Sequence, residues 1–346
     1  MGTITQKIFG TTKSNERVNL YILNNGKMEI GLIDYGCVIN YIRLKNNDGA
    51  YDDVALGFDN IESYENSTGF LGTVVGRFAN RLENAEFELN GVKYSLYKND
   101  GDNSLHGGKC GFDKKVWSSK VVGESIEFSY LSPDGEENYP GNLSVSVRYK
   151  LTDKNEIVID YYAKTDKDTV LNMTNHSFFN LSKHDTEHML EHEIKINADK
   201  FTVINDKCLP TGEIKSVDNT PFDLREYKRI GSDISSDNEQ LRFGEGYDHN
   251  FIINESKKDK PCYTASLKHG DRVMNVYTTK PAVQFYSGNH MTGKDIGFNN
   301  TPYTKRSAVC LETQLYPNSM KHTHFPSPIL KKEDEYKHTT IYEFVF

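Results

Sequence analysis

The sequence predicts an all-β protein, built as one large antiparallel β-sandwich with very little helix. Hydrophobic and polar residues alternate along much of the chain, aromatic residues make up 12% of its 346 residues, and turn-forming residues separate the alternating segments. No internal repeat, low-complexity tract or linker divides the chain. We therefore expect a single domain over residues 1–346.

The clearest strand covers residues 142–151, where every second residue from Leu143 to Leu151 is hydrophobic. A period of two places these side chains on one face of a strand. A polar turn after it makes residues 156–163 its hairpin partner, and Asn90-Gly91 predicts a second hairpin. That second hairpin joins residues 87–89 and 94–96. One helical stretch is expected at residues 224–234. Further strands are expected at residues 18–23, 28–33, 38–44, 125–131, 264–268, 273–278, 282–286 and 340–344.

Charge and hydropathy exclude several classes of protein. With 41 Lys and Arg against 49 Asp and Glu, the net charge of −8 repels phosphate backbones, so we expect no nucleic-acid partner. Mean hydropathy is −0.64, and no apolar run approaches the roughly 20 residues that cross a bilayer, so we expect no membrane partner. The N-terminus lacks a secretory signal, and the five cysteines are odd in number and widely spaced. These features predict a cytoplasmic protein whose thiols are reduced and buried.

Three short motifs match known sites only in part. Residues 188–192 match the zinc pattern H-x-x-E-H, which requires a helix, but the segment after it alternates like a strand, so we predict solvated loop histidines and no metal. Residues 288–295 lack the final Ser or Thr of a phosphate-binding loop and precede no predicted helix. Residues 76–81 (GRFANR) offer Arg and Asn groups that bind hydroxyls, although a loop salt bridge is the simpler interpretation.

Polar residues recur in apolar or glycine-rich surroundings at five places, and together they indicate one pocket. The segments are NSLHGG (103–108), TNHSFFNL (174–181), GYDHNF (246–251), VQF (283–285) and CLETQ (310–314). Burying the glutamate of the last segment costs much free energy unless it is paired or functional. With GRFANR, GFDKKVW, LPTGEI and FPSPIL, these segments resemble the aldose 1-epimerase (galactose mutarotase) family, in the family's order from about residue 70 onwards. The resemblance implies a supersandwich with an open cleft and no metal or organic cofactor.

The resemblance also implies a small monosaccharide substrate and a reaction, the interconversion of α and β anomers of free aldohexoses such as galactose and glucose. It makes Glu312 the general base at the C1 hydroxyl and His176 the general acid at the ring oxygen, on opposite sides of one pyranose. His106 assists near C1 or the ring oxygen. The substrate-binding residues implied for the remaining hydroxyls are Asn80, Arg81, Asp248 and Gln284. Each positioned acid or base contributes roughly 10²–10⁴-fold in rate.

The sequence departs from the family pattern at two places and leaves alternatives open. Phe178 stands where family members often carry Tyr, and the loop 321–325 (KHTHF) is an unusual version that we expect to alter the cleft rim. Trp117 is predicted to lie in the core. One alternative is a non-catalytic sugar-binding or regulatory protein on the same scaffold. Another is a hexose-6-phosphate 1-epimerase relative, which needs basic residues beyond Arg77 and Arg81. Both a monomer and a homodimer fit the sequence.

Overall fold

Antiparallel strands dominate the structure, a computed structural model that describes residues 2–184 and 188–346. The first strands are β1 (Thr3–Thr11), β2 (Arg17–Asn24), β3 (Met28–Ile33), β4 (Val38–Lys45), β5 (Tyr51–Asp53), β6 (Val74–Val75), β7 (Arg81–Leu82), β8 (Glu86–Leu89), β9 (Val92–Ser95) and β10 (Ser104–Leu105). Next come β11 (Ser118–Val122), β12 (Ser125–Ser132), β13 (Leu143–Leu151), β14 (Glu156–Thr165), β15 (Thr169–Val170), β16 (Thr174–Asn175), β17 (Phe178–Phe179), β18 (Glu193–Ile196), β19 (Lys200–Ile204) and β20 (Pro210–Ser216). The last are β21 (Lys228–Arg229), β22 (Asp248–Ile252), β23 (Cys262–His269), β24 (Arg272–Thr278), β25 (Ala282–Tyr286), β26 (Val309–Gln314), β27 (Ile329–Leu330) and β28 (Tyr336–Val345). The α-helices are α1 (Ile61–Asn66), α2 (Ile230–Asp233) and α3 (Glu239–Phe243).

Three sheets carry the architecture. Strands β1 to β5 form a five-stranded meander. A nine-stranded sheet has the order β11-β12-β13-β14-β28-β24-β23-β18-β21, and a six-stranded sheet has the order β17-β26-β25-β22-β19-β20. The other short strands form two-stranded ladders, of which β6 with β16 and β7 with β10 bear on the site described below.

One hydrophobic cluster joins the three sheets. It takes Ile30 from the five-stranded sheet, Val147 from the nine-stranded sheet, and Val283 and Leu311 from the six-stranded sheet, and all four side chains are buried. Burial of apolar surface contributes about 25 cal/mol per Å² to folding, so a core shared in this way binds the sheets to one another. This continuity supports the prediction of one domain over residues 1–346.

Strands that bury a single face agree with the sequence prediction. In β13 each second residue is buried, with more exposed residues between them, and β14 pairs with it as a hairpin. Asn90 and Gly91 both have positive φ in the turn between β8 and β9, as the predicted hairpin requires. Strands β22 and β26 were not predicted from alternation, because nearly all of their residues are buried and both faces are covered.

The predicted helix at residues 224–234 is largely wrong. Only Ile230–Asp233 is helical there, because Lys228–Arg229 pairs with β18 instead and forms the edge of the nine-stranded sheet. Pairing with an existing sheet edge outweighs the small helix propensity of a short segment. The helices α1 and α3 lie outside the predicted range; each begins at an asparagine whose side chain accepts a hydrogen bond from a backbone N–H of the first turn.

The single tryptophan lies in the core, as predicted. Trp117 is 1% exposed and donates from its indole nitrogen to the backbone oxygen of Phe112 at 3.2 Å. All five thiols are free, but the expectation that each is buried holds only for Cys37 and Cys310, because Cys110 is exposed and Cys208 and Cys262 are half-buried. Within the two described ranges, no helix has the length and apolar character needed to span a bilayer.

The H-x-x-E-H segment does not form a metal site. Residues Met189–Glu191 make one 3-10 turn and the chain then enters β18, so the helix that such a site needs is lacking here. His188 is exposed, as expected, but His192 is fully buried, and its ring stacks on His269 at 4.4 Å. Its Nε2 accepts the N–H of Leu181 at 2.9 Å, and burial lowers the pKa of His192 to about 3. The imidazole therefore serves the packing of the core.

Candidate active site

Three adjacent strands of the six-stranded sheet present polar side chains on the face away from the core. Gln284 on β25 pairs with Glu312 on β26, and Asp248 on β22 pairs with Tyr286 on β25. Residues that pair directly across antiparallel strands lie on the same face. The intervening residues, such as Leu311, belong to the hydrophobic cluster. This alternation places the polar groups of three distant segments side by side.

Two short ladders bring the remaining groups to the same face. Asn80 and His106 extend the pairing of β7 with β10, since the N–H of His106 donates to the oxygen of Asn80 at 3.2 Å. His176 follows β16, and its N–H donates to the oxygen of Thr73 at 2.8 Å. Asn80 and His106 have φ of 65° and 52°, in the left-handed region. Such strained conformations persist where the surrounding structure holds them, often at functional sites.

These side chains surround one cavity of about 260 Å³. Six of the seven predicted site residues line it, namely Asn80, Arg81, His106, His176, Asp248 and Glu312. Gln284 is not among the lining residues, and its expected contact with the sugar stays a prediction. It is 3% exposed and lies behind Asp248, to whose Oδ1 its Nε2 donates at 2.6 Å. Gln284 therefore orients a cavity residue from the sheet beneath it.

The cavity rim includes residues that the sequence analysis did not assign. The Phe70 ring lies 4.7 Å from the His106 ring, and Phe178 lies 5.1 Å from the His176 ring. Residues 288–295 form an irregular loop that contributes Asp295 to the lining, and no α-helix follows them. The prediction that no α-helix follows this segment is therefore confirmed. No local signal in the sequence marks this loop or Phe70 as parts of a pocket.

The loop 321–325 contributes no residue to the lining of this cavity, so the expectation that it alters the cleft rim finds no support there. His322 contacts the backbone oxygen of Pro210 through Nε2 at 2.9 Å, and Phe325 packs on Tyr316. These contacts hold the loop against β20 and the end of β26.

The two arginines of GRFANR have different surroundings. Arg77 is 2% exposed, and its guanidinium donates to both the backbone oxygen and the hydroxyl of Ser132, which makes it structural. Arg81 reaches the cavity, with Nε 2.8 Å from a carboxylate oxygen of Asp100 and Nη1 3.9 Å from Asp248. Arg81 therefore both forms the loop salt bridge and lines the cavity. There it offers hydrogen-bond donors beside the acceptor oxygens of Asp248.

Glu312 and His176 lie beside each other at the cavity. Oε1 of Glu312 is 3.6 Å from Nε2 of His176, and the residues are 2% and 5% exposed. Burial, reinforced by the carboxylate of Asp248 and opposed by Arg81, holds the pKa of Glu312 well above its usual range. Burial also lowers the pKa of His176 to about 4. Both shifts favour the uncharged form of the group concerned.

Strand register explains why Glu312 and His176 are neighbours, and the expectation that they act on opposite sides of a pyranose stays a prediction. Phe178 on β17 pairs with Cys310 on β26. His176 lies two residues before Phe178 and Glu312 lies two residues after Cys310. Because the strands are antiparallel, this register places His176 and Glu312 next to each other. Their adjacency follows from a strand pairing that links positions more than a hundred residues apart.

Ring nitrogens of His106 and His176 and a carboxylate oxygen of Glu312 lie within 4.8 Å of one another, the spacing of a possible metal site. The hydrogen bonds argue against that use. Nδ1 of His106 accepts the backbone N–H of Asn80 at 3.2 Å, which leaves the ring proton on Nε2. Neither nitrogen of His106 then offers a free lone pair to a cation. The donor set suits hydroxyl groups better than a metal.

Comparisons with known proteins cover nearly the whole chain. A family model described as Aldose 1-epimerase matches residues 19–343. The chain belongs to the aldose 1-epimerase family. The galactose mutarotase of Bos taurus is 41% identical over 345 residues, with 99% of each chain covered. The aldose 1-epimerase of Escherichia coli (strain K12) is 36% identical over 333 residues, with 94% of each chain covered.

The fold of this aldose 1-epimerase family member agrees with a solved relative. The crystal structure of galactose 1-epimerase from Lactobacillus acidophilus NCFM superposes with a TM-score of 0.85 at 28% identity, and covers 99% of this chain and 98% of its own. The family resemblance and the all-β supersandwich predicted from the sequence are therefore confirmed.

Proposed function

We propose that this protein is an aldose 1-epimerase, an isomerase that interconverts the α and β anomers of free aldohexoses such as galactose and glucose. The pair of Glu312 and His176, 3.6 Å apart in one cavity, carries the proposal. The two reacting oxygens of a cyclic aldose, the C1 hydroxyl and the ring oxygen, are bonded to the same carbon. An adjacent base and acid therefore reach both in one binding pose. The galactose mutarotase and 1-epimerase relatives support the same activity.

Ring opening passes one proton to Glu312 and takes one from His176. The Glu312 carboxylate removes the hydroxyl proton at C1, the electrons of that O–H bond form the carbonyl, and the bond from C1 to the ring oxygen breaks. The ring oxygen takes its proton from the His176 imidazolium. After rotation about the C1–C2 bond, the C5 hydroxyl attacks the other face of the carbonyl and both protons return. One active-site proton thus moves between the two residues.

Burial shifts the pKa values of Glu312 and His176 in opposite directions, and both shifts favour the proposed reaction. With the cyclic sugar the pair is a carboxylate and an imidazolium, and with the open aldehyde it is a carboxylic acid and a neutral imidazole. Burial favours the neutral forms of Glu312 and His176. The cavity therefore stabilises the proton distribution that accompanies the open intermediate, which is the higher-energy species of the reaction.

The other cavity residues bind and orient the sugar in this proposal. His106, with its proton on Nε2, donates to an oxygen at or near C1. Asn80, Arg81 and Asp248 hold the remaining hydroxyls, and Gln284 keeps Asp248 in place. Buried donors and acceptors left unpaired by the wrong epimer cost free energy, so this set selects among aldoses.

The charges of the cavity argue against a hexose-6-phosphate substrate. Its lining carries the carboxyl groups of Asp248, Asp295 and Glu312 but only one guanidinium, that of Arg81. Arg81 is already paired with Asp100. The basic cluster that a phosphate requires is not among the lining residues, whereas a neutral sugar meets no such penalty.

Polarimetry of freshly dissolved α-galactose tests the proposal. The protein should accelerate the approach to the anomeric equilibrium above the buffer rate. Glu312→Gln and His176→Asn, which keep size and polarity, should each lower kcat by roughly 10²–10⁴-fold. Glu343→Gln, on the nine-stranded sheet, is the matched control and should leave the rate unchanged. Galactose binding in calorimetry without any acceleration would instead identify a sugar-binding protein, and neither binding nor acceleration would contradict both functions.

A further inference from the structure

The two imidazoles of the cavity have different partners at Nδ1. Nδ1 of His106 accepts the backbone N–H of Asn80 at 3.2 Å. Nδ1 of His176 lies 3.6 Å from Sγ of Cys310, and both of these residues are buried. One partner is a group that only donates a hydrogen bond. The other is a thiol, which both donates and accepts.

The amide partner confines His106 to one state. Protonation of Nδ1 would set its N–H against the N–H of Asn80 and leave two buried donors without acceptors, which is costly. His106 therefore stays neutral, with its proton on Nε2. Burial, the neighbouring His176 and Arg81 act in the same direction and hold the pKa of His106 well below its usual range. A group confined in this way donates a hydrogen bond but does not exchange a proton.

The thiol partner leaves His176 free to change state. When His176 is an imidazolium, the sulfur of Cys310 accepts the N–H of Nδ1, and Nε2 carries the proton that faces Glu312 and the cavity. After Nε2 has given this proton to the ring oxygen of the sugar, the remaining ring proton stays on Nδ1, still bonded to the sulfur, and Nε2 has the lone pair that takes the proton back. Burial, reinforced by the Glu312 carboxylate, holds the pKa of Cys310 well above its usual range, so the sulfur keeps its proton in both states.

We propose that Cys310 is a positioning residue that lets His176 gain and lose its catalytic proton, while the backbone amide of Asn80 keeps His106 a fixed hydrogen-bond donor. The inference rests on the proposed function. It explains why, of two buried imidazoles whose ring centroids are only 5.0 Å apart, His176 is the one that transfers the proton. Cys310 and Glu312 lie on the same face of β26, so one strand carries the base and the partner of the acid.

The other neighbours of His176 do not replace this contact. Phe70 and Phe178 pack against the ring and offer it no hydrogen-bond acceptor. Glu312 faces Nε2, on the other side of the ring from Cys310. The charged groups further out are Arg81, which acts on His106, and Asp248, which acts on Glu312.

Substitution of the thiol tests the proposal. Cys310→Ala removes the partner of Nδ1 and should lower kcat about three- to tenfold with little change in KM, the effect of one lost hydrogen bond. Cys310→Ser keeps a group that donates and accepts, and should retain more of kcat than Cys310→Ala. Cys37→Ala is the matched control, because Cys37 is also fully buried but lies in the core cluster, and its kcat should equal that of the unmodified protein.

Nitrogen-15 NMR of the His176 ring supplies a readout that packing alone does not move. At neutral pH the unmodified protein should show a neutral ring protonated on Nδ1, and Cys310→Ala should show a mixture of the two tautomers. An unchanged tautomer together with an unchanged kcat in Cys310→Ala would overturn the proposal, as would an equal loss of kcat in Cys37→Ala. If Cys310→Ala fails to fold, a single Nδ1-protonated tautomer in Cys310→Ser decides for the proposal and a mixture decides against it. Failure of the unmodified protein to epimerise galactose would contradict the proposed function. The spectra would still show whether Cys310 contacts Nδ1 of His176.

Discussion

At the level of single residues, burial shifts the pKa values of Glu312 and His176 in opposite directions. Burial penalises the charged form of each group, which raises the pKa of the carboxyl and lowers that of the imidazole. The two groups are close enough to titrate as a pair rather than independently. The pair works in the proposed reaction only when it holds one proton. With two protons it contains no base, and without any proton it contains no acid.

This pairing predicts the pH dependence of the epimerase rate. As the pH falls, His176 takes a second proton onto the pair only near its lowered pKa of about 4, so kcat/KM should stay high well below the pKa of about 6.5 of a free imidazole. As the pH rises, activity should fall when the pair loses its last proton. Polarimetry across pH 3.5–10, corrected for buffer catalysis and with near-ultraviolet circular dichroism to monitor folding, measures both limbs. An acidic limb centred near 6.5 in the folded protein would contradict this assignment.

At the level of elements, a buried arginine ties the ladder that carries Asn80 to the nine-stranded sheet. The Arg77 guanidinium donates to the backbone oxygens of Ser132, at the end of β12, and of Pro140 at 2.9 and 2.8 Å. These oxygens are otherwise buried acceptors, so their satisfaction depends on Arg77. The sequence motif GRFANR thus contains one residue for the scaffold and, four positions later, Arg81 for the cavity.

Removal of this arginine should destabilise the fold without altering the cavity lining. Arg77→Met keeps much of the side-chain volume but leaves buried acceptors unpaired, and should lower the free energy of unfolding by about 3 kcal/mol. Urea denaturation measures the loss. The control is Arg148→Met, which breaks a surface pair with Glu127 and should cost less than about 1 kcal/mol. Equal losses in the two variants would contradict a structural role specific to Arg77.

At the level of the whole molecule, the negative charge of the cavity and of the chain act in the same direction. The net charge is −8, and three carboxyl groups line the cavity beside one arginine. The field of a whole protein changes the rate at which charged ligands arrive, and salt screens this effect. A neutral aldose approaches such a cavity without an electrostatic barrier, whereas an anionic sugar meets repulsion at every distance.

Galactose 6-phosphate should therefore be a poor substrate compared with galactose. We expect its kcat/KM to be at least about tenfold lower, since each 1.4 kcal/mol of repulsion is a factor of ten in rate. The difference should narrow as salt rises from 20 to 500 mM, while the rate with galactose stays constant. Polarimetry with the two sugars in parallel measures this. A preference for the phosphorylated sugar would favour the hexose-6-phosphate alternative.

The sequence by itself determined the fold class, the family and six of the residues that line the cavity. Strands with one covered face, such as β13, leave a period of two in the sequence, and segments such as NSLHGG and LETQ carry their polar groups whatever the surroundings. Strands β22 and β26 left no such period, because both of their faces are covered. Local patterns record how each segment meets its immediate surroundings and nothing more.

Only the tertiary structure decided how these groups meet. It placed Glu312 beside His176 and Gln284 behind Asp248, and it gave His176 a thiol partner in Cys310, which the sequence indicated only as a small apolar group. These relations join residues 36 to 136 positions apart through strand register. Register depends on which strands pair and at which residue, and the composition of a single segment does not contain that information.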